Sequence, residues 1–114
     1  MTNYSTGQFP LAESKGVLTV KSNALRHLAE RVNARDEMLI FVWGRQLHDR
    51  QASWSVASCQ QAELPGDAED RGVQGIIAST PFLVAHAEHI WKLDGCTLAL
   101  ENGVLTVVPQ AGPS

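Results

Sequence analysis

Two histidines and two cysteines are the residues of this chain best suited to bind a metal ion. The tetrapeptide HAEH places His86 and His89 three residues apart, a spacing that puts both imidazoles on one face of a helix. A zinc site needs further ligands, and Cys59 and Cys96 are the available thiols. A hydrogen-bonded histidine at the edge of the core explains the same pattern. These four residues therefore stand as metal-ligand candidates, while no metal and no cofactor is expected.

The same residues raise the question of an enzyme. A thiol at Cys59 beside His86 or His89 would provide a nucleophile and a base. The sequence around Cys59 has no nucleophile motif, and the chain has neither a glycine-rich phosphate loop nor a G-x-S-x-G turn. A small-molecule-binding or minor enzymatic domain around these three residues is the second alternative for the function.

Arginines and tryptophans alternate through the first half of the chain. Arg31 and Arg35 lie on the polar side of a predicted helix, and Arg45 and Arg50 lie between the predicted strands that carry Trp43 and Trp54. Arginine and stacking aromatic side chains are typical of RNA and single-stranded DNA recognition. The sequence pI near 5.7 argues against it. Nucleic-acid binding through this half is not the favoured function for that reason, and it is kept as the first alternative.

Charge is unevenly divided along the chain. Residues 1–60 contain seven Lys and Arg against five Asp and Glu, and residues 61–114 contain two against seven, for a net charge of −3. This asymmetry would let the basic half of one copy meet the acidic half of a second copy in a two-fold dimer. The longest apolar run, MLIFVW, is far shorter than the ~18 residues of a membrane span. The first ten residues do not resemble a secretory signal, so a cytoplasmic protein is expected.

Hydrophobic spacing predicts the elements that position these residues. Leu25, Leu28 and Val32 recur at helical spacing, and Thr80 followed by Pro81 is typical of a helix start. The pentapeptide GVLTV occurs twice and is predicted to form a strand each time. The predicted elements are a strand at 16–20, a helix at about 22–35, strands at 37–43 and 52–60, a strand or turn at 73–79, a helix at 81–93, and strands at 97–101 and 104–108.

The last two strands form the clearest motif. Asn102-Gly103 between two branched apolar runs predicts a two-residue hairpin turn. The predicted register pairs Leu100 with Leu105 and puts both on the core face.

These elements predict an α+β fold with a single mixed or antiparallel sheet of about five strands. Both helices would cover one face, in the order β-α-β-β-α-β-β, as a ferredoxin-like variant that ends in a β-hairpin. The domain would span 16–109, with a flexible segment at 1–15 and a tail at 110–114.

A regulatory, adaptor or inhibitor protein of bacterial or phage type is the favoured function. It would act by protein–protein interaction, as a homodimer, because a semi-apolar sheet face is commonly covered by a partner or a second copy. The interaction candidates are Val104, Thr106 and Val108 on the hairpin, with Trp54, Arg31, Arg35, Arg45 and Arg50.

Overall fold

The computed structural model describes residues 5–11, 16–45, 52–64 and 71–109, and of residues 45 and 52 it describes only the backbone. Strands make up most of this part of the chain. The eight described strands are β1 Gly7–Pro10, β2 Val17–Val20, β3 Glu37–Arg45, β4 Ala52–Gln60, β5 Val73–Ile77, β6 Thr80–Val84, β7 Thr97–Glu101 and β8 Val104–Val108.

The strands form two four-stranded sheets. Sheet one has the order β1-β2-β7-β8, and sheet two has the order β4-β3-β6-β5. In each sheet the two central strands are parallel and each outer strand is antiparallel to its neighbour. The prediction of a single sheet of about five strands with two helices on one face is therefore wrong.

The first error lies in the connection between β2 and β3. The helix α1 (Ser22–His27) continues through a π turn (Leu28–Val32) and a 3-10 turn (Asn33–Arg35). Its apolar stripe is buried as predicted, but this helical segment carries the chain from sheet one to sheet two instead of returning it to the same sheet. Hydrophobic spacing sets which side of a helix is buried, and it does not set which strands the helix joins.

The predicted helix at 81–93 is also wrong. Residues 80–84 form β6, and only Ala87–Leu93 is helical, as a 3-10 helix. Phe82 and Leu83 are both fully buried although they point to opposite faces of β6, which suits a central strand and not a helix with one apolar side. A threonine before proline also fits the start of a strand, since the residue before proline favours extended backbone.

Two further strands complete the sheets. The ambiguous segment at 73–79 contributes β5 and the turn that follows it. The strand β1 was not predicted; it pairs with β2 and is followed by the buried Leu11, whose N–H donates to the carbonyl of Gly16.

The β7–β8 hairpin confirms its predicted register. Leu100 pairs with Leu105 and Leu98 with Val107. The backbone φ angles of Asn102 and Gly103 are +52° and +78°, which is the type I′ conformation that favours this dipeptide. The β5–β6 hairpin uses the same conformation with Ala78 and Ser79, at +51° and +66°.

The core lies between the two sheets. Phe41 is at its centre, with edge-to-face contacts to Phe82 and Trp54 at ring-centroid distances of 5.9 and 6.4 Å. Both helical segments contribute buried apolar residues to this core. They contribute Ala24, Leu25, Leu28, Val32, Ile90 and Leu93. Both segments therefore cover the inner faces of the sheets.

The topology repeats itself. A hairpin in sheet one, a helical crossing and a hairpin in sheet two (β1–β4) are followed by a hairpin in sheet two, a second crossing and a hairpin in sheet one (β5–β8). Both copies of GVLTV form strands as predicted, yet one is the central strand β2 and the other the outer strand β8. The pentapeptide therefore does not mark equivalent positions of the repeat.

Candidate interaction site

The histidine and cysteine candidates lie in different parts of the molecule. The rings of His86 and His89 are adjacent, with centroids 5.7 Å apart. Cys59 pairs with Met38 near the start of β3, whereas the N–H of Ala85, next to His86, bonds to Phe41 further along that strand. Cys59 is therefore separated from the histidines by roughly 10 Å or more of strand.

Cys96 is buried, and its Sγ donates to the carbonyl oxygen of Lys92 at 3.2 Å. Among the residues that the structure describes, no group of three or more His, Cys, Asp or Glu side chains is placed to hold a metal ion.

Cys59 is poorly suited to act as a nucleophile. Burial, followed by the nearby carboxylates of Glu63 and Glu37, raises the pKa of its thiol above the ordinary value. The thiol is therefore protonated near neutral pH, and the thiolate is the reactive form.

Three arginines line one open groove of about 580 Å³ between the helical segment and the β7–β8 turn. Arg26 forms an ion pair with Glu30 at 3.2 Å, while Arg31 and Arg35 are exposed. Glu30 and Glu37 also line this groove and offset part of the positive charge. The side chains of Arg45 and Arg50 lie outside the described residues.

The tryptophans are not available to stack on bases in this groove. Trp54 is only 9% exposed and belongs to the core. Trp43 packs edge-to-face on Trp54 at 5.2 Å, and Lys92 Nζ lies 5.2 Å from the Trp43 ring centroid. The exposed tryptophan is Trp91, at 62%, with Lys92 Nζ 4.2 Å from its ring centroid. Sequence reasoning missed Trp91 because only the apolar face of the predicted helix at 81–93 was considered, and Trp91 does not lie on that face.

The hairpin candidates lie on the outer face of sheet one. Val104 is 61% exposed and Val108 is also exposed, while Thr106 between them is half-buried and donates its hydroxyl to the carbonyl of Val104. Glu101 shares this face with them. The predicted semi-apolar face therefore exists, and one carboxylate lies at its end.

The outer face of sheet two is more apolar and was not singled out from the sequence. Ile76 is 69% exposed and Val42 is 42% exposed, while Met38 and Leu83 are buried without belonging to the core between the sheets. Strand alternation and pairing give the described outward positions as Met38, Ile40, Val42, Gly44, Ser53, Ser55, Ala57, Cys59, Gln74, Ile76, Pro81 and Leu83. None of these side chains is charged.

A shallow groove of about 340 Å³ marks the β5 side of this face. Four outward side chains line it, namely Met38, Gln74, Ile76 and Pro81, together with Asp36 and Gln61 at its rim and Gly75 and Phe82 of the edge hairpin. Depletion of charge around exposed aliphatic side chains is characteristic of the central part of a protein interface. The signal was present in the sequence as alternate uncharged residues in β3 and β5, but the sheet order was needed to bring them together.

Comparison of the chain with protein-family models, with curated proteins and with solved structures finds no match. Within the described part of the chain, no helix has the length and apolar character needed to cross a membrane.

Proposed function

We propose that the protein acts by protein–protein contact as a homodimer, as a small regulator or adaptor, and that sheet two carries the contact. The outer face of that sheet supports the proposal, since its twelve described outward strand positions include no charge, the carboxylate of Asp36 lies only at the rim of the groove, and Ile76 is 69% exposed. Exposed apolar patches of this kind mark interaction sites in proteins that remain in solution.

A two-fold dimer places equivalent residues near each other around its axis. Any charge close to that axis meets its own copy, so an uncharged surface is the best suited to self-association. The outer face of sheet one has Glu101 on it, which makes it the poorer candidate.

The test is the substitution Ile76→Lys, followed by light scattering over a range of protein concentrations. Ile76 is on the edge strand β5, so its side chain borders the second copy whether the two copies join along this edge or through their outer faces. Burying part of an isoleucine contributes roughly 1 kcal/mol in each copy, and a lysine in its place must also lose part of its hydration. The dissociation constant of the dimer should therefore rise at least about tenfold.

Val104→Lys is the matched control. Val104 is similarly exposed, at 61%, but lies on the outer face of sheet one, so this substitution should leave the dimer intact. A monomeric wild-type protein would refute the proposal. A dimer that dissociates with Val104→Lys and survives Ile76→Lys would move the contact to the hairpin face.

The arginine groove supports a second candidate, the binding of a nucleic acid. Arg31 and Arg35 are exposed in the same concave surface, and Arg26 lies beside them. A contact with phosphates should weaken as salt increases and should be lost in the double variant Arg31→Ala/Arg35→Ala. Fluorescence anisotropy with a labelled single strand at ~50 mM salt would measure this, and no binding there would exclude the candidate.

A further inference from the structure

The outer strands of a sheet carry backbone groups that must be paired, covered or blocked. In sheet one, β1 is blocked. The bond from the Leu11 N–H to Gly16 shows that Gly7, Phe9 and Leu11 face β2. The positions facing outward are therefore Gln8 and Pro10, and proline has no N–H to donate.

The outer strands β8 and β4 lie against each other where the two sheets come together, so each covers the edge of the other. The remaining outer strand of the described sheets is β5, at the edge of sheet two. It contains neither a charged residue nor a proline, which are the usual means of blocking an edge.

The hairpin turn defines which groups of β5 are open. A two-residue type I′ turn is closed by a hydrogen-bonded pair, here Ile77 and Thr80. Val73, Gly75 and Ile77 therefore bond to β6, and Gln74 and Ile76 direct their N–H and C=O groups away from the sheet. The pairing of Ile76 with Pro81 agrees, because proline cannot donate and fits a non-hydrogen-bonded pair.

We propose that β5 pairs antiparallel with β5 of a second copy, about a two-fold axis at Gly75. This inference rests on the proposed homodimer and specifies its geometry. Gln74 of each copy then exchanges backbone hydrogen bonds with Ile76 of the other copy. Sheet two of one copy and sheet two of the other copy then form one continuous sheet of eight strands. Its outer face extends across the junction between the copies.

The strand is complementary to itself in this register. Gly75 meets Gly75 of the second copy in the pair where antiparallel strands approach most closely, with Cα atoms about 4.5 Å apart. Val73 lies opposite Ile77 of the second copy on the inner face, and such aliphatic pairs stabilise a sheet. The absence of charge in Val73–Ile77 removes repulsion at the axis.

Val42 distinguishes edge pairing from a dimer in which the two outer faces pack against each other, because it would be buried only in the second arrangement. This residue is on β3, and β6 separates that strand from β5. Val42→Lys should leave an edge-paired dimer intact and should dissociate a face-to-face dimer. Gln74→Pro removes an outward N–H without removing a bond to β6, so it should dissociate the edge-paired dimer. Circular dichroism would check that each variant is folded.

Cysteine cross-linking tests the register in a Cys59→Ser background, because Cys96 is buried. Under mild oxidation, Gly75→Cys should form a covalent dimer, read by mass spectrometry and a non-reducing gel. Gln74→Cys and Ile76→Cys should not, because equivalent residues at those positions lie about 7–8 Å apart, at or beyond the reach of a disulfide.

Three results would overturn the edge pairing while leaving self-association in place. They are a dimer that persists in Gln74→Pro, a dimer lost in Val42→Lys, and a cross-link at 74 or 76 in place of 75. A monomeric wild-type protein would overturn both this inference and the proposed homodimer.

Discussion

The β5–β6 and β7–β8 turns share a backbone conformation and differ in sequence, which leads to a reciprocal pair of substitutions. Ser79 has a φ of +66° and Gly103, at the same position of the other turn, has a φ of +78°. Ser79 is exposed, and a side chain added at Gly103 would meet nothing within 4 Å. Exchanging the two residue types therefore changes the conformational energy with little change in packing.

The expected size follows from two opposing terms. A left-handed conformation costs a non-glycine residue roughly 1–2 kcal/mol, while glycine loses about 0.5–1 kcal/mol more in conformational entropy on folding. Ser79→Gly should therefore raise the free energy of unfolding by about 0.5–1 kcal/mol, and Gly103→Ser should lower it by a similar amount. In a domain of ~100 residues these changes correspond to a few degrees in Tm.

Chemical denaturation of each variant, with the slope of the transition unchanged, would measure both effects. The double variant should return to the stability of the wild-type protein, because the turns belong to different sheets. A Ser79→Gly variant less stable than the wild-type protein would refute the reasoning. So would a Gly103→Ser variant of unchanged stability.

Two further predictions concern a close contact and a thiol. Gly16 has a φ of +143°, and a Cβ there would lie 2.5 Å from the Cβ of Asp94, so Gly16→Ala should cost about 1–3 kcal/mol. The double variant Gly16→Ala/Asp94→Gly should lose less stability than the sum of the two single variants, as measured by thermal unfolding. If the two losses in the free energy of unfolding simply add, the contact is contradicted. Because burial and Glu63 raise the pKa of Cys59, its alkylation in the native protein should begin at higher pH than that of a free thiol. Glu63→Gln should move this profile, measured by mass spectrometry, to lower pH; an unmoved profile would rule out the carboxylate effect, and Cys96 should stay unlabelled because it is buried.

Patterns decided within a few residues were predictable from the sequence. The Asn-Gly turn gave the β7–β8 register, because the dipeptide and the alternation of Leu98 and Leu100 both specify the same pairing. The apolar stripe of the first helical segment was also predicted, and all of its buried residues face the core.

Features set by distant contacts were not predictable. The sequence of β6 predicts the start of a helix. The segment forms a strand because β3 and β5 lie on either side of it. The same holds for the interaction site. Val42 and Ile76 belong to different hairpins, and only the order of sheet two shows that they share a face whose described outward strand positions carry no charge.

The repeated topology has a consequence for how the chain folds. Each half of the chain supplies one hairpin to each sheet, and the central pairs β2–β7 and β3–β6 always join one half to the other. Hairpins form in microseconds, whereas pairing between distant strands is slow. The four hairpins should therefore form early, and closure of the central pairs should limit the folding rate. A fragment ending at residue 64 would lack two strands of each sheet, so the two halves should fold only on mixing, by complementation.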